Sequence, residues 1–214
     1  METAFDIGYF ACALWLGVAI LKDAKGRGQY RLFGWMALML VFGDAFHLVP
    51  RMVALNTAGL EAFTRQLGLG KLITSVTATV FYALFYHAWR ARYRVEGRHS
   101  LTVWVWLLTL IRVALCLFPQ NDWLGANPPL LWGVYRNLPF VPLGAILMVL
   151  MASSARGDPP MQRAWLAILF SFLFYIPVVL FADAVPLVGM LMIPKTVAYV
   201  WLMFMARAAE KADG

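Results

Sequence analysis

Charged side chains are scarce in this chain, and their scarcity excludes a soluble globular protein. Lys, Arg, Asp and Glu make up only 14% of the 214 residues, whereas hydrophobic residues make up 62%. A soluble domain carries about 25% charged residues. We therefore predict an all-α integral membrane protein of the cell membrane, in which residues 1–214 form a single polytopic domain.

Long apolar stretches predict the transmembrane helices, since each helix needs about 20 such residues to cross a bilayer. Seven predicted helices cover about 5–21, 32–55, 69–89, 101–118, 129–151, 163–182 and 186–206. Lys and Arg are missing from the N terminus, from 120–128 and from 183–186, whereas they cluster after the first, third and fifth stretches and at the C terminus. The positive-inside rule then predicts an external N terminus and a cytoplasmic C terminus. The net charge of +7 needs no nucleic acid, because basic connectors attract anionic membrane lipids.

Cysteine and histidine are too few to build a disulfide scaffold or a metal centre. The chain has two cysteines and three histidines. Cys12 and Cys116 both fall inside predicted helices, where we expect small buried side chains. His47, His87 and His99 fall at three different predicted depths, whereas a zinc site needs about three ligands at one depth. We therefore expect no metal.

Two further signatures are missing. No Gly-x-Ser-x-Gly elbow of a serine hydrolase occurs in the chain. The first residues, Met-Glu-Thr-Ala-Phe-Asp, lack the basic region of a signal peptide, so we expect the first predicted helix to be retained.

The most informative positive feature is a polar stripe in the second predicted helix. Asp44, His47 and Arg51 are spaced i, i+3 and i+7, which places them within about 60° of one another on a helix. An ionisable group at membrane depth costs about 3 kcal/mol or more unless it faces protein or water. The stripe therefore marks a candidate site. Because a histidine beside a carboxylate titrates near neutral pH, Asp44 and His47 would form a proton-linked pair or a general base.

Other polar residues are predicted at neighbouring depths. Asp44 and Lys195 fall near the middle of the membrane, and the outer half holds Arg51, Lys71, Arg112, Arg136, Asp183 and His47. Five cations, on five different predicted helices, outnumber the two carboxylates Asp44 and Asp183. Desolvated cations need anions, and arginine matches carboxylate and phosphate geometry. We predict an outward-facing, net-basic cavity. Its predicted ligand-binding residues are Asp44, His47, Arg51, Lys71, Tyr82, Arg112, Arg136, Asn137, Tyr175 and Lys195.

Prolines interrupt several of the predicted helices close to these charges. The interruptions are predicted at Pro50, Pro139, Pro142, Pro177 and Pro194. Pro139 follows the Arg136-Asn137 pair, and Pro194 directly precedes Lys195. A proline removes a backbone donor and kinks a helix, and kinked helices in membranes line cavities or hinges. The pattern predicts a binding site with mobile helix segments.

The topology resembles that of the microbial rhodopsins. The resemblance rests on seven predicted helices, an external N terminus, Lys195 in the seventh helix and Phe-Tyr-Ile-Pro-Val-Val at 174–179 in the sixth. It implies retinal bound as a Schiff base to Lys195, walled by the aromatic sixth helix. That family places the counter-ion on the third helix, where this chain has no Asp or Glu. Asp44 on the second helix would have to replace it.

These features lead to one hypothesis and two alternatives. We expect the cavity to bind a small anionic solute or a lipid headgroup, with transport and proton coupling as extensions of the same hypothesis. The first alternative is an intramembrane enzyme that acts on a lipid, with Asp44 and His47 as candidate catalytic residues. The second is a rhodopsin-like receptor or pump that binds a chromophore through Lys195.

Overall fold

Helices account for the regular structure of this chain. The computed structural model describes residues 2–182 and 184–214, and in these residues no strand occurs. Seven helical segments of this described part are long and apolar enough to cross a membrane, which confirms the predicted class of a multi-pass, seven-helix membrane protein. Glu2 and Arg51 lie at one end of the bundle, called the N-terminal face, and Arg27 and Glu210 lie at the other, called the C-terminal face. The cellular side of each face stays a prediction.

For the first four helices, the boundaries agree with the predicted stretches to within a few residues. The eight α-helices are α1 (Glu2–Asp23), α2 (Gly28–Asn56), α3 (Thr64–Arg92), α4 (His99–Leu117), α5 (Leu130–Asn137), α6 (Phe140–Ser154), α7 (Ala164–Phe181) and α8 (Met192–Ala212). Short 3-10 turns occur at Leu60–Phe63, Pro119–Asn121, Ala155–Gly157 and Pro186–Leu191. The last of these turns makes α8 begin six residues after the predicted start at 186.

The fifth membrane segment is broken into two helices, α5 and α6. α5 ends at Asn137 and α6 begins at Phe140, so that only Leu138 and Pro139 separate them. Proline has no N–H to donate, and its ring crowds the carbonyl one turn earlier. The break confirms the interruption predicted at Pro139, and it leaves Asn137 at a helix end.

The membrane segments pack as a closed ring in chain order. Each helix contacts the next one, and α8 returns to pack against α1. α3 also contacts α6, and its aromatic side chains fill the middle of the bundle. Phe81 and Tyr82 make edge contacts with each other, and the Tyr82 ring also packs against Phe140 of α6. Outward-facing side chains such as Val103 and Leu110 are 63% and 61% exposed, as suits a surface in contact with lipid chains.

Glycines allow α2 and α3 to approach closely. A Cβ atom added to Gly70 of α3 would overlap the Phe46 carbonyl oxygen and the His47 Cα atom, which are backbone atoms of α2. One turn further, the Thr74 hydroxyl of α3 donates a hydrogen bond to the Gly43 carbonyl at 3.0 Å. This backbone contact fixes the position of the segment that carries Asp44 and His47.

Ion pairs link distant parts of the chain at the C-terminal face. Arg92, at the end of α3, donates two hydrogen bonds to the Asp158 carboxylate, at 2.5 and 2.7 Å. The Tyr93 hydroxyl donates to the same carboxylate at 2.8 Å. Arg27 pairs with Glu210 of α8 at 2.6 Å. The other ion pairs of this face join Arg92 to Asp213, Arg207 to Asp23 and Arg207 to Glu210.

Acid is expected to weaken the C-terminal face through Asp158. Burial raises the pKa of this carboxyl, but the hydrogen bonds from Arg92 and Tyr93 outweigh burial and hold the pKa below its ordinary value. A carboxylate with a lowered folded-state pKa stabilises the fold at neutral pH, and that stabilisation is lost as the pH falls below about 4. Asp158→Asn should therefore lower the unfolding temperature in detergent at pH 7, and the difference from the unchanged protein should shrink below about pH 4.

The matched control is Glu61→Gln. The Glu61 side chain is exposed and forms no hydrogen bond or ion pair with the described residues. This substitution should leave the unfolding temperature unchanged at both pH values. An equal loss in Asp158→Asn from pH 7 down to pH 3 would contradict the assigned role of the carboxylate.

Candidate functional site

Arg112 of α4 is the largest buried polar side chain in the described residues, with 1% exposure. Its Nε donates to the Thr79 hydroxyl at 2.8 Å, and its Nη1 donates to the Asn137 Oδ1 atom at 2.7 Å. The guanidinium also lies 3.5 Å from the centroid of the Phe140 ring. All three partners are neutral, and no carboxylate of residues 2–182 and 184–214 lies within 4.0 Å. The positive charge of Arg112 is therefore hydrogen bonded but not neutralised.

Asn137 connects Arg112 to the other side of the bundle. Its Oδ1 atom accepts the hydrogen bond from Arg112 and a second one from the Tyr175 hydroxyl of α7, at 2.9 Å. Its Nδ2 atom donates to the Gly133 carbonyl at 2.8 Å, which fixes the orientation of the amide. The break of the fifth segment after this residue positions the amide between α4 and α7.

Lys195 is the second buried cation, with 7% exposure in the first turn of α8. Its Nζ atom lies 4.9 Å from the centroid of the Tyr175 ring and 5.3 Å from that of the Tyr199 ring. Within the described ranges this ammonium group forms no hydrogen bond and no ion pair closer than 4.0 Å. Tyr175 thus links the two cations: its hydroxyl donates to the Asn137 amide that also binds Arg112, and its ring lies beside the Lys195 ammonium group. We call Arg112, Asn137, Tyr175 and Lys195 the cationic site.

Asp44 faces the cationic site from α2. The Tyr9 hydroxyl of α1 donates to its Oδ2 atom at 2.7 Å. The charges of Asp44 and Lys195 attract each other, although no ion pair within 4.0 Å forms between them in the described structure. A carboxylate therefore lies near Lys195 without neutralising it at contact distance.

The predicted acid–base pair of Asp44 and His47 does not form a hydrogen bond. The Nδ1 atom of His47 lies 3.3 Å from the Leu67 carbonyl oxygen of α3. Asp44 instead accepts its hydrogen bond from Tyr9 of α1. Helical spacing places both residues on one side of α2, but each side chain turns to the neighbouring helix that offers it a partner.

The remaining predicted residues lie away from the cationic site. Arg51 pairs with Glu2 at the N-terminal face, and Lys71 is exposed near the start of α3. Arg136 turns to the connector between α4 and α5, where it donates to the Asn121 Oδ1 atom at 3.0 Å and lies 4.3 Å from the Trp123 ring centroid.

Tyr82 and Asp183 are the two other predicted positions. Tyr82 belongs to the aromatic core, where its hydroxyl is 2.9 Å from that of Ser171. Asp183 lies outside the described residues. The structure thus joins Arg112, Asn137, Tyr175 and Lys195, with Asp44 facing them. Tyr82 borders the same site through Phe140 and Tyr199, whereas Arg51 pairs with Glu2 at the N-terminal face.

Sequence reasoning missed Asp6 of α1, which is 4% exposed. Glu2, Asp6 and Tyr9 are spaced i, i+4 and i+7, so they share one face of α1. The predicted helix over 5–21 leaves Glu2 outside it and puts Asp6 in its first turn, at the membrane surface. Glu2 and Asp6 add two carboxylates to the half of the bundle that was predicted to be net basic.

A shallow apolar cavity of about 120 Å³ lies between α5 and α7, next to the cationic site. Its lining residues are Val134, Asn137, Leu138, Val141, Tyr175, Ile176, Val179 and Leu180. Asn137 and Tyr175 also belong to the cationic site, so these two side chains separate it from the lipid-facing surface of the bundle.

Comparison of the chain with known proteins found no matching family model, curated protein or solved structure.

Proposed function

We propose that this membrane protein binds a carboxylate or phosphate group, of a small solute or of a lipid headgroup, at the cationic site. One observation carries the proposal: Arg112 and Lys195 are both buried, and no described carboxylate lies within 4.0 Å of either. A buried charge without a counter-charge at contact distance costs several kcal/mol, and an anion bound between the two cations would offset part of that cost. Arginine suits this role because its N–H groups bind two oxygen atoms of one anion.

One helix start supports an anion at this position. α6 begins at Phe140, whose ring packs on Arg112. The start of a helix carries partial positive charge, and discontinuous membrane helices bind anionic substrates in this way in transporters. The broken fifth segment and the turn before α8 would provide the mobile parts for translocation.

A lipid ligand would reach the same site from the cavity between α5 and α7. The lining of this cavity is apolar, and Asn137 and Tyr175, which hydrogen bond to each other, would have to move apart to let the ligand pass. An acyl chain fits such walls, whereas a free solute would have to enter from the N-terminal face. The two sources of the anion therefore predict different routes to Arg112.

Thermal unfolding in detergent tests the proposal, with sodium acetate or sodium phosphate as the probe and sodium chloride at equal ionic strength as the reference. At ten times Kd, a bound anion stabilises the fold by about 1.4 kcal/mol, which raises the unfolding temperature by about 3–6 °C. Arg112→Gln and Lys195→Met should lose this increase. Because Lys195→Met also removes the attraction between Lys195 and Asp44, the response to the anion is compared with the anion-free unfolding temperature of each variant.

Arg156→Gln is the matched control, because Arg156 is an exposed cation without a partner in the described residues. This variant should keep the full increase in unfolding temperature. The proposal is wrong if neither anion stabilises the native protein, or if Lys195→Met responds to them as the native protein does.

The two alternative functions gain less support. The enzyme hypothesis needs Asp44 and His47 to act together, and their side chains hydrogen bond to different helices. For a retinal Schiff base on Lys195, α3 offers no carboxylate, and two tyrosine rings flank the amine. A visible absorption band that forms with retinal and is lost in Lys195→Ala would favour the chromophore hypothesis over the anion site.

A further inference from the structure

Asp6 is a buried carboxylic acid with an unused oxygen atom. The residue is 4% exposed, and its buried Oδ2 atom accepts no hydrogen bond in the described structure. Ionisation of a buried carboxyl costs free energy when one of its oxygens has no partner, so an added negative charge nearby favours protonation of that group. A proton on Oδ2 would remove the charge without breaking any existing hydrogen bond. Asp44 differs, because its Oδ2 atom already accepts a hydrogen bond from Tyr9.

Asp6 lies between the N-terminal face and the interior. Glu2, one turn before it, is paired with Arg51 at that face. Tyr9, three residues after it, donates to Asp44. A proton from water at the N-terminal face therefore needs to pass only one helical turn to reach Asp6.

The charged and titratable groups around Asp6 come from each helix packed against α1. α2 contributes Arg51 and Asp44, whose charges interact with Asp6, as does the charge of Glu2 on its own helix. α8 contributes Tyr199 and Lys195. Tyr199 interacts electrostatically with Tyr9, and Lys195 attracts Asp44. Glu2 and Arg51 neutralise each other as an ion pair. Asp6 is thus the carboxyl of this group that has neither an ion-pair partner nor a hydrogen bond at its buried oxygen.

Charge balance links Asp6 to the cationic site. Arg112 and Lys195 carry two positive charges in the interior, and Asp6 and Asp44 carry two negative charges when both are ionised. The interior is then neutral overall, although no contact ion pair forms among these four groups in the described structure. An anion bound at the cationic site adds one negative charge. Because net charge is costly in a medium of low dielectric constant, one proton has to accompany the anion.

We propose that Asp6 takes up this proton, so that each bound anion is accompanied by one proton. The inference rests on the proposed anion site and assigns its proton-coupling group. The step is a simple protonation: a hydronium ion from the N-terminal face gives its proton to the Asp6 carboxylate, which becomes a neutral acid, and water remains. His47 has no part in it, since its ring faces α3.

The pH dependence of anion binding tests this assignment. Sodium acetate is titrated against the native protein in detergent, between pH 6 and pH 9, with the unfolding temperature as the readout. When one proton is taken up with each anion, the apparent Kd rises about tenfold for each pH unit above the titration of the acid. In Asp6→Asn, which imitates the neutral acid, acetate should still bind, with an affinity that no longer changes with pH.

Glu2→Gln is the matched variant, because it removes a carboxyl group outside the interior and leaves Asp6 intact. It should keep the native pH slope. A slope that survives in Asp6→Asn, or that disappears in Glu2→Gln, overturns the assignment while the anion site stands. If acetate stabilises the native protein at no pH, the carboxylate site itself fails.

Infrared difference spectroscopy gives a second readout on the native protein, which avoids any folding defect of a variant. Acetate binding should produce the C=O stretching band of a newly protonated carboxylic acid. The band should be absent from the Asp6→Asn difference spectrum and present in that of Glu2→Gln. Binding of acetate without this band in the native protein would contradict proton uptake by a carboxyl group.

Discussion

Substitution of Gly70 by alanine is expected to destabilise the protein by about 3 kcal/mol, at the upper end of the cost of overpacking. The added Cβ atom would overlap backbone atoms of Phe46 and His47 on α2. Backbone atoms cannot rotate away as a side chain can, so α2 and α3 would have to separate along their length. The hydrogen bond from Thr74 to the Gly43 carbonyl would be strained by the same movement. Equilibrium unfolding in mixed detergent micelles measures the loss.

Gly8→Ala is the matched control for this substitution. Gly8 also lies inside a helix, but a Cβ atom added there meets no atom within 4 Å. Alanine should therefore be neutral or slightly stabilising at this position, because it favours a helix more than glycine does. A similar effect of both substitutions would contradict the close backbone contact of α2 with α3.

Arg92→Met is expected to cost about 3–5 kcal/mol, because it leaves one member of a buried ion pair without its partner. The side chains of Arg92 and Asp158 are only 8% and 12% exposed. The Asp158 carboxylate would keep its hydrogen bond from Tyr93 and lose the two from the guanidinium. The same unfolding measurement at pH 7 reports the loss.

A double substitution separates the ion pair from other effects of the arginine. Arg92→Met combined with Asp158→Leu removes both charges, so we expect it to recover much of the stability lost in the single variant. Arg31→Met is the control, because Arg31 is exposed and forms no ion pair with the described residues. No recovery in the double variant would show that the Arg92 pair is not the source of the loss.

The membrane class of this protein could be predicted from its sequence, because it depends on the length and polarity of continuous stretches. The break at Pro139 was also predictable, since proline acts on its own helix. Pro50 and Pro177 had the same local signal, yet each lies inside a continuous helix, α2 and α7. The effect of a membrane proline depends on whether neighbouring groups satisfy the freed carbonyl, and one sequence does not contain that information.

The candidate site was only partly predictable for a similar reason. Helical spacing identifies which side chains share a face, so it placed Asp44 and His47 together. It does not identify the partner that each side chain selects, and here Tyr9 and the Leu67 carbonyl draw the two apart. Arg112 and Lys195 were found by their charge at predicted membrane depth. Asp6 was missed because its depth depends on where α1 begins.

The ion pairs of the C-terminal face hold one end of α8 to its neighbours. Glu210 and Asp213 tie the last turns of this helix to Arg27 and Arg92, whereas its first turn carries Lys195 without an ion pair in the described structure. α8 therefore has a fixed pivot at the C-terminal face. A helix of about 20 residues is about 30 Å long, so a tilt of about 10° around that pivot displaces its free end by about 5 Å. The same tilt hardly moves the tied end, so the bundle would open towards the N-terminal face while its opposite end stays closed.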